Sequence, residues 1–383
     1  MSSEGPIPLS RPFLDDTELA NLQACLTSGK LSGNGAFTLQ CEDFLEKKYC
    51  ARRALLTNSC TSALELCAHL LDLGSGDEVI LPSYTFVSTA NAFALRGVRL
   101  VFADIDPETF NIDPESVESK ITQATKAVVP VHYGGVACDM EALLALAVKH
   151  GIEVVEDAAQ GVHAKWNDRH LGTIGVLGTY SFHDTKNFTS GEGGALLVNR
   201  EALADRAEIL REKGTNRRQF ILGNVDKYTW VDVGSSYVPS ELCAAVLHAQ
   251  LNKVERITEL RRVAHQRYDA MLEELAGEGR LRLPRIPPYA TSNYHLYALL
   301  MPTAKQRDDL ITYLNGRGVG AAFHYVPLHS APMARRLGTR EQELPVTDDV
   351  ASRVLRLPLY AGITAEQQEQ VVALIRSFVC LGA

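Results

Sequence analysis

Three stretches of this 383-residue chain set chemically capable side chains at the ends of apolar runs. In one, Ile152-Glu153-Val154-Val155 leads into Glu156-Asp157-Ala158-Ala159-Gln160. A carboxylate at a strand's end can pair with a protonated pyridine nitrogen, which keeps the ring cationic and able to absorb the electrons of a breaking Cα–H bond. In another, Ser181-Phe182-His183-Asp184-Thr185-Lys186-Asn187 leaves a second strand. A lysine there can form an imine with an aldehyde, and its displaced amine can then shuttle the proton. Upstream, small hydroxyl residues open a helix in Leu55-Leu56-Thr57-Asn58-Ser59-Cys60-Thr61-Ser62-Ala63-Leu64-Glu65. Free N–H groups and the positive end of the helix dipole make such a start a seat for phosphate. Singly, these are a turn aspartate, a solvated lysine and an N-cap. In order, after successive strands, they ask for one ligand, a phosphate-bearing pyridine aldehyde: pyridoxal 5'-phosphate. Gly191-Glu192-Gly193-Gly194 precedes a strand instead of following one, so it is not read as a nucleotide loop.

The elements that must position these groups alternate short apolar runs with helical patterns, the mark of an α/β fold with a mainly parallel sheet. Strands are expected at Glu78 to Leu81, Arg99 to Ile105, Lys126 to Val131, Ile152 to Glu156, Thr179 to Phe182 and Gly194 to Asn199. Helices are expected from Thr61 to Leu73 and, capped by Asp139, up to His150. The texture changes near residue 250. A charged amphipathic helix runs from about Leu251 to Gly277, and a stiff connector follows at Pro284-Arg285-Ile286-Pro287-Pro288. Strands at Tyr294 to Leu300 and Val319 to Val326, with helices at Lys305 to Arg317 and Thr364 to Phe378, suit a smaller α+β unit. The expected domains are 1–250, large and cofactor-binding, and 251–383, small and C-terminal.

Bulk properties bound the function without naming it. A formal net charge of -8 argues against binding nucleic acid, which needs a basic stripe. No stretch approaches the roughly 20 apolar residues of a membrane span. The first residues have neither a basic nor an apolar signal region, which points to the cytoplasm. The 8 cysteines form no C-x-x-C pair and no zinc spacing, so reduced thiols and no metal are expected.

The same motifs resemble the DegT-type sugar aminotransferases, fold-type I enzymes that act on nucleotide-linked keto sugars. The likeness runs in order from Leu31 to Asn34 through the Thr57-to-Glu65 stretch, Pro82 to Asn91, Pro130 to Gly134, the Asp157 and Lys186 motifs, and Phe323-His324-Tyr325-Val326-Pro327-Leu328-His329. Lys213 to Arg217 and Asp226 to Trp230 look like the branch that aminates C4 of dTDP-4-keto-6-deoxyglucose. The resemblance implies that Lys186 is the Schiff-base lysine and Asp157 the partner of the pyridine nitrogen. It implies Gln160 beside the ring near its O3′, Phe86 stacked on the ring, and Cys60, Thr61 and Ser181 around the phosphate. His183 would orient cofactor or substrate. An amino acid, L-glutamate by family analogy, would be the donor, with Arg217 one candidate for its carboxylate. Many members carry an asparagine that reaches the phosphate from the neighbouring subunit; here Val238 takes that place, beside Ser235 and Ser236. A homodimer is the implied minimum. The rival readings are amination at C3 and a non-catalytic sensing member. A dehydrating branch replaces the lysine by histidine, and Lys186 speaks against it.

Overall fold

In the computed structural model, which describes residues 5–339 and 343–380, the two periodicities of the sequence sort into separate layers. The strands are β1 (Arg53–Thr57), β2 (Glu78–Pro82), β3 (Arg99–Ala103), β4 (Thr125–Val128), β5 (Glu153–Asp157), β6 (Lys165–Trp166), β7 (Arg169–His170), β8 (Leu177–Ser181), β9 (Gly194–Val198), β10 (Ala290–Thr291), β11 (Tyr297–Leu300) and β12 (Val354–Leu357). Seven of them form one sheet in the order β1-β9-β8-β5-β4-β2-β3. The pairs β3–β2, β2–β4, β4–β5 and β5–β8 are parallel, and β9 runs antiparallel to both β8 and β1. Side chains alternate between two cores. Ala54, Leu56, Ile80, Val154 and Leu197 face one, covered by helices Ala36–Tyr49, Met140–His150 and Glu241–Leu251. Leu55, Val79, Leu81, Val155 and Leu196 face the other, covered by helices Cys60–Leu70, Val87–Ala94 and Ala204–Arg211. Burial on both faces is why these strands read as near-continuous apolar runs.

The last third of the chain builds a separate core around the antiparallel pair β11–β12, with Tyr268, Leu299, Leu310, Leu355, Val371 and Ile375. Ile7 joins this cluster: its N–H donates to Gly318 O at 2.8 Å. The first described residues thus pack with the last third. Among the described residues no helix is long and apolar enough to cross a membrane. All eight cysteines are unpaired.

The helix read from about Leu251 to Gly277 is present as Val254–Gly277, preceded by a separate helix Glu241–Leu251 that Ser240 caps, with a turn at Asn252 and Lys253 between them. One expectation needs correction. Val319 to Val326 is not a strand. It makes only single bridges, Val319 with Ile7 and Ala322 with Arg356, before Tyr325 adopts a left-handed φ of 56°. A β-branched or bulky residue in that region ends regular pairing, and here it turns the chain into the cavity described next.

Candidate active site

The parallel strands end on one edge of the sheet, where open α/β folds place their ligands. A cavity of about 760 Å³ opens there, between the sheet edge and the β11–β12 unit. Cys60, Thr61, Phe86, Asp157, Gln160, Ser181, His183 and Lys186 all line it. Every position singled out for the cofactor is therefore brought to one place.

The upstream wall is a helix start. Ser59 caps helix Cys60–Leu70 by accepting the Ser62 N–H at 3.1 Å. The N–H groups of Cys60 and Thr61 are left without a backbone acceptor among the described residues. Thr61 Oγ1 donates to Ser88 Oγ at 2.8 Å, and Ser181 closes β8 beside them. Gly194 pairs with both Thr57 and Ser181, and a Cβ on it would overlap Cys60 N and Ser59 C. Only a glycine lets β9 run this close, which explains the Gly-Gly pair that made no sense as a nucleotide loop. Burial pushes the Cys60 thiol pKa up, which keeps it protonated.

Glu156 and Asp157 are neighbours with opposite duties, because successive residues of a strand face opposite sides. Glu156 is fully buried and accepts the N–H groups of Gly172, Ile174 and Gly175 at 2.6–2.7 Å, while His132 Nε2 lies 3.0 Å away. It ties down the loop before β8. Asp157 points into the cavity: Thr89 Oγ1 donates to its Oδ2 at 2.7 Å and the Ala159 N–H to its Oδ1 at 3.1 Å. Thr85 Oγ1 lies 2.9 Å from Thr89 Oγ1 and extends this support.

Lys186 is half-buried, and its ammonium makes no hydrogen bond or ion pair among the described residues. Burial lowers its pKa from the usual lysine value; Cys60 and Asp157 oppose the shift and Arg356 adds to it. An unpaired lysine facing a carboxylate-bearing cavity is costly without a ligand. Phe86 fits the same reading, since this large apolar ring is 58% exposed at the cavity wall. Gln160 Oε1 accepts the Gly134 N–H at 2.7 Å, and its Nε2 donates to Tyr325 OH at 2.7 Å. His183 is 44% exposed at the rim, with Nδ1 2.9 Å from Thr185 Oγ1 and 3.0 Å from Asp184. The free helix N–H groups, the space Gly194 keeps open, the Asp157 carboxylate and the unpartnered lysine fit a phosphate-bearing pyridine aldehyde.

Other lining residues were given no role by the sequence. Thr89, His324 and Tyr325 were visible only inside longer motifs, and His295 and Arg356, from the C-terminal third, carried no local signal. Arg217 is not among the cavity-lining residues; it is 47% exposed and pairs with Glu212 at 3.4 Å. Val238 turns toward Gly33 of the same chain, and Asn58 binds the backbone carbonyls of Ser236 and Tyr237.

Comparison with known proteins places this arrangement. The sequence model of the DegT/DnrJ/EryC1/StrS aminotransferase family matches residues 12–376. The spore coat polysaccharide biosynthesis protein SpsC of Bacillus subtilis (strain 168) is 34% identical over 381 residues, covering 97% of each chain. The aminotransferase TlmJ from Streptoalloteichus hindustanus superposes with a TM-score of 0.90 at 33% identity, covering 99% of this chain and 100% of that one. NtdA from Bacillus subtilis, solved with bound cofactor PMP, gives a TM-score of 0.86 at 29% identity over 95% of this chain and 82% of its own. The chain belongs to the DegT/DnrJ/EryC1/StrS aminotransferase family and is a pyridoxal-phosphate-dependent enzyme.

Proposed function

We propose that the chain moves an amino group from an amino acid, L-glutamate, to C4 of dTDP-4-keto-6-deoxyglucose, giving a dTDP-4-amino-4,6-dideoxyhexose. The observation that carries the transaminase reading is Lys186, unpartnered in the same cavity as Asp157. The C4 keto sugar is supported by the Lys213 to Arg217, Asp226 to Trp230 and Phe323 to His329 segments, which resemble that branch. The cavity volume of about 760 Å³ lies toward the upper end of ligand sites, which suits a sugar nucleotide above the cofactor.

When bound, pyridoxal phosphate supplies the electron sink for the carbanion left as a Cα proton departs. The protein supplies the rest. Lys186 would hold the cofactor through its aldehyde, and its amine would take up and return the proton at Cα. Its lowered pKa makes the neutral amine available for both tasks. Asp157, fixed by Thr89, would hold the proton on the ring nitrogen. Cys60, Thr61 and Ser181 would hold the phosphate, and Phe86 and Gln160 would hold the ring. His183 orients ligands at the rim.

The enzyme acts as a cytoplasmic homodimer in this reading. Ile221, Tyr228 and Trp230, at 67%, 54% and 74% exposure, supply an apolar surface suited to a second copy. The deciding experiment is NMR of the product from dTDP-4-keto-6-deoxyglucose and L-glutamate. An amine on C4 supports the proposal; an amine on C3, or no product, overturns the assigned sugar.

A further inference from the structure

The β11–β12 unit contributes one permanent positive charge to the cavity, and the structure gives it no anionic partner. Arg356 lies in β12, where it is paired with Ala298 and bridged to Ala322, so its backbone is fixed on both sides. Its Nη2 donates to Phe323 O at 3.2 Å, and its buried Nε–H has no acceptor. No carboxylate pairs with it among the described residues, although it lines the cavity and acts electrostatically on Lys186. A guanidinium has five N–H donors, and a buried one left idle costs free energy. Such a group is built for something absent from the chain itself.

The neighbouring imidazoles do not compete for that role. His295 Nδ1 donates to Asn187 Oδ1 at 3.0 Å, because Asn187 Nδ2 is committed to Asn293 O. His324 Nδ1 lies 2.9 Å from Tyr133 OH. Burial pushes both rings well below 6.5; Lys186, Arg261, His324 and Arg356 add to it at His295, and Arg356 and Lys186 at His324, so both stay neutral at neutral pH. The cavity's other acids are placed apart: Asp157 is held by Thr89, and Glu192, 70% exposed, stands at the rim beside His183.

We propose that Arg356 anchors the carboxylate of the incoming amino donor, making the donor an α-amino acid and not a simple amine. The inference rests on the transaminase reading of Lys186 and deepens it. A planar fork of donors matches a carboxylate two oxygens at a time. An α-amino acid carries that carboxylate one carbon from the amine that must meet Lys186, and Arg356 and Lys186 line the same cavity. A pyrophosphate would need several cations, and Arg356 is a single guanidinium, matched to one carboxylate.

The test uses the holoenzyme and follows bleaching of its visible band in the amine-accepting half-reaction. In Arg356→Met, which keeps the apolar stem, the half-saturating L-glutamate concentration should rise about 100-fold, the loss expected for a charged hydrogen-bonded pair. Arg356→Lys, keeping charge but losing the fork, should raise it about 10-fold. A donor lacking a carboxylate, benzylamine, should be unaffected, as should amine transfer from the preloaded enzyme to the keto sugar. Independently of turnover, maleate should raise the melting temperature of wild-type apoprotein and not of Arg356→Met. Equal losses with glutamate and benzylamine would mean a structural role, and a loss confined to the keto sugar would mean a pyrophosphate anchor; either overturns the assignment. A wild-type band that no amino acid bleaches overturns the transaminase reading itself. Wild-type bleaching with unchanged glutamate dependence in both variants overturns Arg356 alone.

Discussion

Gln160 and Tyr325 are joined by a hydrogen bond of 2.7 Å from Nε2 to the phenol oxygen, although they stand 165 residues apart. Gln160 follows β5 at the edge of the sheet, and Tyr325 comes from the C-terminal third at a left-handed φ of 56°. Because the Gly134 N–H fixes the amide's other end, Gln160 sets where the Tyr325 ring enters the cavity. Gln160→Ala should weaken pyridoxal phosphate binding by about 10-fold, in line with ~1.5 kcal/mol for one buried hydrogen bond. Tyr325→Phe should lose a similar amount, and the double variant little more; fluorescence titration of apoprotein checks all three. Additive losses would show that the two side chains act separately.

Lys186→Ala should bind no cofactor covalently, so the visible absorption band of the holoenzyme disappears. Turnover should fall by at least about 10²–10⁴-fold, the range for losing a positioned proton carrier. The fold should survive, since Lys186 has no hydrogen bond or ion pair to lose. A retained band, read by ultraviolet–visible spectroscopy, would refute its role.

Asp157→Ala should retain some cofactor and lose most turnover, by about 10²-fold or more for one preorganised electrostatic partner. Thr89→Val removes only the donor to Oδ2 and should cost less, about 10-fold, mainly in kcat. Near-normal rates in Asp157→Ala would assign the ring nitrogen to another residue.

Gly194→Ala places a methyl group against the Cys60 N–H and the Ser59 carbonyl carbon. The strand or the helix start must shift, a strain of about 1–3 kcal/mol. Phosphate affinity should drop more than thermal stability, because the displaced atoms belong to the helix start proposed to seat the phosphate. Comparing the cofactor dissociation constant with the melting temperature of the apoprotein separates the two.

His295 and His324 are held well below 6.5 by burial, with Lys186 and Arg356 adding to the effect. As pH falls through about 6.5 the unfolded chain takes up protons at these sites that the folded chain refuses, so stability is present above that pH and lost below it. Urea midpoints should decline from about pH 7 to 5, and the pair His295→Asn with His324→Asn should flatten that slope. An unchanged slope would show that both imidazoles titrate freely in the folded protein.

The parallel strands were legible because burial on both faces leaves continuous apolar runs, and such runs need no distant partner to be recognised. The segment Val319 to Val326 misled for a related reason. Its apolar composition suits a strand, yet its neighbours, Ile7 and Arg356, reach it only as single bridges.

By itself the sequence determined the chemistry: Lys186 and Asp157 after strands, and a helix start of small hydroxyl residues upstream. Those features are local, because a strand end and a helix N-terminus fix the direction of the next side chain whatever surrounds them. Only the tertiary structure decided why Gly194 must be a glycine, and that Arg356 and not Arg217 shares the cavity with Lys186. Those outcomes depend on elements far apart in the chain meeting at the sheet edge, where the shape and charge of one wall are set by residues of another.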